Sequence, residues 1–554
     1  MPDESPSNAP HGPRQWVLAT SVDRLASSKP IAVKLNGLQI ALFVHRGEVL
    51  ACNNRCPHEG YPLVEGALDD ECVLTCNWHN WKFDLKTGAT LYGGDQLRVY
   101  PVSVRDGSVY VDIAELPAAH RIDEALSHLD AAIADFDSPR IARELARLAK
   151  AGAEPDVALE RAIVGTHDKL RDGMSHAYAA AETWFRLRET LDDDAMRLAC
   201  ATEALAYIAF DTLREKSYPY SIDSTSWSAP AFAAAVESQD EARAIALVDG
   251  ALRSGLDYTA LEPTLAHAAL AHYNDFGHSL IYLDHVGRLI ARLGAVAERP
   301  LLKAWVRSLV LATREDLLPD FRGYAEAVAA FGSAQRTRSA DGSSRRVSVA
   351  DIVGALEGQP VRAALKIVVE HACVRPTLLH SALMETAARH LLRFDEAHAL
   401  RTGNSVADNV GWLDFSHALT FGHSLRRLCE RHPDLWAQGL LQLTLFCARN
   451  NTYLDPALSS TQALTEWAVD DEDAFHRKSI ARIVDHGIGV PILAAHWLKT
   501  WSAVRETLRQ YGDIPSSTRS ALLAATSRLL AVNFKQRHPL RTARQALRFI
   551  DKED

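Results

Sequence analysis

Cys56-Pro57-His58 is followed, after seventeen residues, by Cys76-Asn77-Trp78-His79. Each segment carries one thiol and one imidazole almost adjacent, and nothing else in the chain constrains its fold as strongly. For all four groups to serve one centre, the two segments must be loops presented side by side by a scaffold. Two thiolates and two imidazoles suit zinc, or a two-iron cluster with thiolates on one iron and imidazoles on the other. Cys and His alternate within each pair here, whereas zinc fingers pair Cys with Cys, which favours the cluster.

The flanking sequence supplies a β scaffold. Residues 15–113 contain short apolar or alternating runs: Trp16–Ala19, Ile31–Leu35, Gln39–Val44, Val49–Ala51, Arg98–Val104 and Val109–Asp112. Asn36-Gly37, Arg46-Gly47 and Asp106-Gly107 separate several of them and predict hairpins.

These loops resemble the Rieske family, which writes them C-P-H-x-G-x-P-L and C-x-W-H-x-W-x-F-D-x-x-x-G. The chain reads Cys56-Pro57-His58-Glu59-Gly60-Tyr61-Pro62-Leu63 and Cys76-Asn77-Trp78-His79-Asn80-Trp81-Lys82-Phe83-Asp84, with Thr87-Gly88 following. The resemblance implies a [2Fe–2S] cluster on Cys56, His58, Cys76 and His79. Neutral imidazoles in place of thiolates raise the potential to about −150 to +300 mV, against about −400 mV for plant-type ferredoxins. Rieske proteins of respiratory complexes add a disulfide between the loops. The matching positions here hold Tyr61 and Asn77, which resembles the oxygenase and soluble-ferredoxin branch.

From about residue 122 to 550 the apolar residues recur at spacings of three and four, which predicts helix after helix. The expected fold class is multidomain: an N-terminal all-β Rieske domain (15–117) after a disordered leader (1–14), then a large all-α domain (122–554). Loops are expected at Tyr218–Pro230, Glu298–Pro300 and Asn450–Pro456. A Gly/Ser/Arg-rich linker at Phe331–Arg346 is expected to divide the helical part near 331–348. Asp275–Leu280 (DFGHSL) echoes Thr420–Leu425 (TFGHSL). The net charge of −10 speaks against nucleic-acid binding, and no apolar run is long enough to cross a membrane. The polar N-terminus lacks a secretory h-region, which points to the cytoplasm. Cys200, Cys373, Cys429 and Cys447 are expected as buried small hydrophobes, and Cys52 and Cys72 as core residues rather than ligands.

A Rieske cluster moves one electron at a time and has no open iron, so function must lie in what receives the electron. The ordinary Rieske catalytic domain, with its D-x2-H-x4-H iron triad, does not fit: Asp275-x2-His278 is followed at the required place by Leu283, in helical sequence. Fifteen histidines nevertheless lie in or beside apolar helices of this part, and helix bundles build iron sites from inward side chains. Thr166-His167 to Tyr178, Gly277–Leu283, Phe415–Thr420 and Phe475–Lys478 resemble the questin oxidase-like family, a helical non-haem-iron family that oxidises polyketide aromatics. Tyr282 stands where that pattern has a second His. The resemblance implies ligands His176, His278, His417 and His476. His423 is the nearest substitute, and Asp275 and Asp414, each three residues ahead of a ligand on the same helical face, are expected to orient the rings. Lys478 is a further candidate as a carbamate ligand, although it and His476 point to opposite sides of a regular helix. A di-iron carboxylate site would need Glu-x-x-His repeats; only the Asp versions at Asp275, Asp395 and Asp414 are available.

The function expected is that of a Rieske-type non-haem iron oxygenase. A reductase using NAD(P)H, directly or through a ferredoxin, feeds the cluster. The cluster then feeds a His-rich iron that uses O₂ against a small aromatic or polyketide-like substrate, in a chain that forms a homo-oligomer. The alternative is an electron carrier or redox sensor fused to a helical scaffold. Either way the purified protein should be red-brown, with the low average g value of a His-ligated [2Fe–2S] centre after reduction. His58→Cys should lower its midpoint potential in redox titration, because an anionic ligand replaces a neutral one.

Overall fold

A computed structural model describes residues 14–26, 29–338, 347–403 and 409–550; the first thirteen residues of the expected leader lie outside this set. The chain falls into two compact units, Met1–Ala158 and Leu159–Asp554. The change from strand to helix comes after Asp112, and the units divide later, so two helices group with the β-sheets.

The first unit contains β1 (Trp16–Ser21), β2 (Ile31–Leu35), β3 (Leu38–His45), β4 (Glu48–Asn53), β5 (Ala67–Leu68), β6 (Val73–Thr75), β7 (Lys82–Asp84), β8 (Thr90–Tyr92), β9 (Val99–Tyr100), β10 (Val102–Arg105) and β11 (Ser108–Asp112). They form three antiparallel sheets, ordered β1-β11-β10, β2-β3-β4-β9 and β5-β6-β7-β8. The expected hairpin residues take left-handed backbone at Asn36-Gly37, Arg46-Gly47 and Asp106-Gly107, as two-residue turns between twisted strands require. Cys52, Cys56, Cys72 and Cys76 share one apolar core with Phe43, Leu63, Leu74 and Phe83.

The Ala118–Ala134 and Ser138–Lys150 helices pack on each other. The second is pinned to the β8–β9 connection by Asp95, which is fully buried. Its carboxylate accepts from Arg143 Nε (2.6 Å) and Arg147 Nη2 (3.0 Å), with Arg140 Nε at 3.6 Å. Burial alone would push this carboxyl up; the Arg143 and Arg147 guanidiniums override it and hold it below its usual range.

The second unit is helical, as the periodicity predicts. Four helices, His176–Glu189, His278–Leu293, Trp412–Arg431 and Pro491–Gln510, form a closed ring in which each packs on the next. They are buried nearly all round, the pattern of a central helix. Two expectations fail here. Glu298–Pro300 is not a loop but lies inside the Ala295–Val310 helix; burial of that helix outweighs the one hydrogen bond Pro300 removes. Cys373 is exposed, unlike Cys200, Cys429 and Cys447. Of the expected linker, residues up to Arg338 continue the Tyr324–Arg338 helix, and 339–346 lie outside the described residues. That helix packs on Val361–Glu370 and Trp436–Asn450, from beyond the linker.

Asp95→Ala should cost about 3–5 kcal/mol, because it leaves three guanidiniums facing a buried void. Urea denaturation of the full chain, followed by loss of the cluster absorption, measures it.

Candidate metal centres

The two Cys/His loops have the same backbone. Cys56 N–H donates to Tyr61 O (2.9 Å) and Gly60 N–H to Cys56 O (2.8 Å); Cys76 N–H donates to Trp81 O (2.8 Å) and Asn80 N–H to Cys76 O (3.0 Å). The fifth residue of each loop is left-handed, φ +76° at Gly60 and +61° at Asn80, which only Gly and Asn adopt readily. His58 and His79 meet with ring centroids 4.8 Å apart, and Trp81 stacks beneath His58 at 4.5 Å. The Nδ1 of His58 is buried and has no partner. Burial pushes the Cys56 thiol up to about 11, so its thiolate needs a cation, which bound iron supplies. Two thiols, two imidazoles and an orphaned ring nitrogen fit a [2Fe–2S] cluster. Asn77 donates instead to Glu65 O (2.7 Å), and all eight cysteines are free.

The second centre sits where the four ring helices begin. His176 and His278 are the first residues of their helices, and His417 and His496 lie in the second turn of theirs. His278 Nε2 is 3.1 Å from His176 Nε2 and 2.9 Å from His417 Nε2. His496 stands beside this group of three, its ring 4.7 Å from His417 and 5.1 Å from His176.

The tautomers follow from the outer contacts. His278 Nδ1 lies 2.5 Å from the Asp275 carbonyl, which can only accept, so Nδ1 carries the proton and Nε2 is a bare lone pair. Ser416 donates its hydroxyl to Leu413 O (3.0 Å), so it accepts from His496 Nδ1 (2.9 Å). His496 Nε2 is then buried with no partner. Lone pairs converging at these distances fit one ion: two nitrogens about 2.1 Å from a metal at right angles stand about 3.0 Å apart. Lys499, one helical turn after His496 and 4% exposed, is the buried cation beside them. Burial pushes its amine down to about 7, and no acid stands against it. Burial first, then Lys499, holds His176 and His496 well below the usual imidazole range; burial and its neighbour His278 do the same to His417. The four positive helix ends act in the same sense.

The approach to His278 is strained. Asp275, Phe276 and Gly277 are all left-handed, with φ +44°, +50° and +73°, a cost of about 1–2 kcal/mol for each non-glycine. A Cβ on Gly277 would stand 2.6 Å from the Phe421 ring. Such strain persists only where surrounding structure fixes it: Asp275 N–H donates to Thr313 O (2.8 Å), and Arg449 covers the Phe276 ring at 4.8 Å.

Of the residues expected here, His176, His278 and His417 come together. His476 does not; it accepts from Trp501 Nε1 (3.2 Å) and faces Glu472 (3.5 Å). Lys478 is exposed. His423 bonds Thr507 and Arg288, in a buried network with Asp284, His285, Glu182 and Glu506 further along the same helices. Asp275 orients His278 through its carbonyl, its carboxylate standing 3.6 Å away, and Asp414 pairs with Arg449 (3.0 Å) rather than with a ring. His496 and Lys499 were missed, although His496-x-x-Lys499 puts both on one helical face, which His476 and Lys478 cannot share. The DFGHSL echo is not structural: His278 opens a helix, whereas His423 lies deep inside one.

Metal-free protein should lose stability on acidification. The histidines have depressed native pKa values, so below the ordinary value near 6.5 the unfolded chain binds protons the native chain refuses. Lys499 acts with the same sign between about 7 and its ordinary value. Stability therefore rises with pH through both windows and falls as pH drops. Each unit of depression is worth about 1.4 kcal/mol. Unfolding midpoints of metal-free protein between pH 8 and 5.5 should fall, and fall less in His496→Leu.

The family model described as the Rieske [2Fe–2S] domain matches residues 15–101. The 3-phenylpropionate/cinnamic acid dioxygenase ferredoxin subunit of Photorhabdus laumondii subsp. laumondii is 40% identical over 78 residues, 14% of this chain and 74% of that protein. Its counterpart in Escherichia coli K12 is 41% identical with the same coverage. Among solved structures, the ferredoxin of carbazole 1,9a-dioxygenase from Nocardioides aromaticivorans IC177 is 26% identical, covering 18% of this chain and 97% of that one with a TM-score of 0.17. Through its N-terminal β-sheets the chain belongs to the Rieske [2Fe–2S] family.

Proposed function

We propose that this chain is a self-contained Rieske-type non-haem iron oxygenase. Cys56, His58, Cys76 and His79 hold the cluster. His176, His278 and His417 hold an iron in the helical unit, with His496 beside them. The observation that carries this is the convergence of the Nε2 atoms of His176 and His417 on that of His278, at 3.1 and 2.9 Å. Imidazoles alone suit several metals; the one-electron donor in the same chain favours a redox metal. Lys499 is the buried amine that the carbamate idea requires: neutral near pH 7, it can form an N–C bond to CO₂ with release of one proton. The anion produced would supply a carboxylate-type ligand that the histidine group lacks. Bound iron would supply the O₂ chemistry.

The chain's own residues suit a small aromatic substrate. Helical side chains lean toward the helix N-terminus, so His417 and His496 lean toward the turns holding Asp414 and Leu493. Those two residues line a cavity of about 520 Å³ with Trp412, Trp467, Phe534, Arg528 and Lys535, a size within the range of organic-ligand sites; none of the four histidines is among its lining residues. The electrons come from a reductase or ferredoxin. A second reading has one observation behind it: the curated relatives are ferredoxin subunits, which would make this chain an electron carrier on a helical scaffold.

Iron content separates the two. Wild type should carry more than two iron per chain; His278→Ala, His417→Ala and Lys499→Ala should keep the Rieske spectrum and lose the iron above two, together with substrate-dependent O₂ uptake. Wild-type iron content in all three would leave the carrier.

A further inference from the structure

The ring of His176 has a partner of a different kind from the others. Its Nδ1 lies 2.8 Å from the hydroxyl of Tyr282. Tyr282 is 4% exposed and sits one turn after His278, with its ring 5.7 Å from His176 and 5.2 Å from His278. It therefore touches two of the converging histidines. What it offers is an oxygen against the outer nitrogen of His176.

We infer that Tyr282 is the positioning residue of this centre: its hydroxyl oxygen accepts the Nδ1–H of His176 and so keeps Nε2 a bare lone pair aimed at the metal. The inference rests on the proposed metal at this site. The direction of the hydrogen bond follows from the metal that His176 Nε2 would bind. If the phenol donated instead, the proton of His176 would sit on Nε2, pointing at His278 Nε2 only 3.1 Å away, and no metal could use that nitrogen. His176 opens its helix, so there is no preceding helical turn to hold its ring, and the tyrosine on the neighbouring helix takes that part. The polar groups that act on the Tyr282 hydroxyl besides His176 are Asp275, Tyr207 and Asp211. Three histidines thus use three neutral oxygens: the Asp275 carbonyl, the Ser416 hydroxyl and the Tyr282 hydroxyl. Outer partners of this kind fix both tautomer and ring orientation of a metal-bound imidazole.

The test uses the full chain with Co²⁺ added to protein stripped of second-site metal. Wild type should bind one Co²⁺ and show cobalt-shifted, exchangeable ring N–H proton resonances. Tyr282→Phe, which keeps the ring and its packing, should weaken Co²⁺ binding about 10- to 100-fold and lose one slowly exchanging N–H resonance while the others remain. In a His176→Ala background, Tyr282→Phe should change the affinity no further. Unchanged affinity and a full set of resonances in Tyr282→Phe overturn the positioning role while leaving the metal site standing. Equal weakening by Tyr282→Phe with and without His176 also overturns it, because the effect then does not pass through that ring. Wild type that binds no Co²⁺ in the helical unit overturns the metal site, and this inference with it.

Discussion

Four imidazoles sharing one small volume, three of them buried, is the arrangement on which the helical unit depends. A buried polar group without a partner costs free energy, and His496 Nε2 has none among the described residues. Two further nitrogens approach His278 at distances that a hydrogen bond could occupy only if one carried a proton. The surroundings oppose that proton: burial, a lysine without an acid partner and the positive ends of four helices all favour the neutral rings. The same groups that make protonation costly make lone pairs available.

The scaffold is arranged to tolerate this. The four ring helices pack in a closed circuit, so each ring is held from both sides. Further along them, Glu182, Asp284 and Glu506 are matched by Arg186, Arg288 and Arg427. Those charges neutralise one another inside the bundle, and the carboxylate at the histidine end, that of Asp275, stands on the outer side of His278, 3.6 Å from its Nδ1. Strain is concentrated at the same end, in the left-handed run before His278. The Rieske unit uses the opposite device. Its two loops share one hydrogen-bond pattern, and their ligands rest on a core built from cysteines and aromatics.

Much of this was legible in the residues. The Cys/His spacing, the Gly60 and Asn80 positions and the hairpin turns are local features, in which backbone preference and ligand chemistry act over a few residues. The helical character of the remainder was legible for the same reason, since periodicity reports a buried face without reference to what buries it. Pro300 and Cys373 were misjudged because burial of a particular helix, or its absence, is a property of neighbours distant in sequence.

The sequence by itself determined the cluster type, the β-to-helix order of the chain and three of the four histidines that converge, because each is written in short motifs. Only the tertiary structure decided that His496 and Lys499 join them while His476 and Lys478 do not, that Asp414 serves Arg449, and that a tyrosine partners His176. Those outcomes depend on which helix faces which around a closed ring, and segments from 25 to more than a hundred residues apart carry no local signal of that pairing.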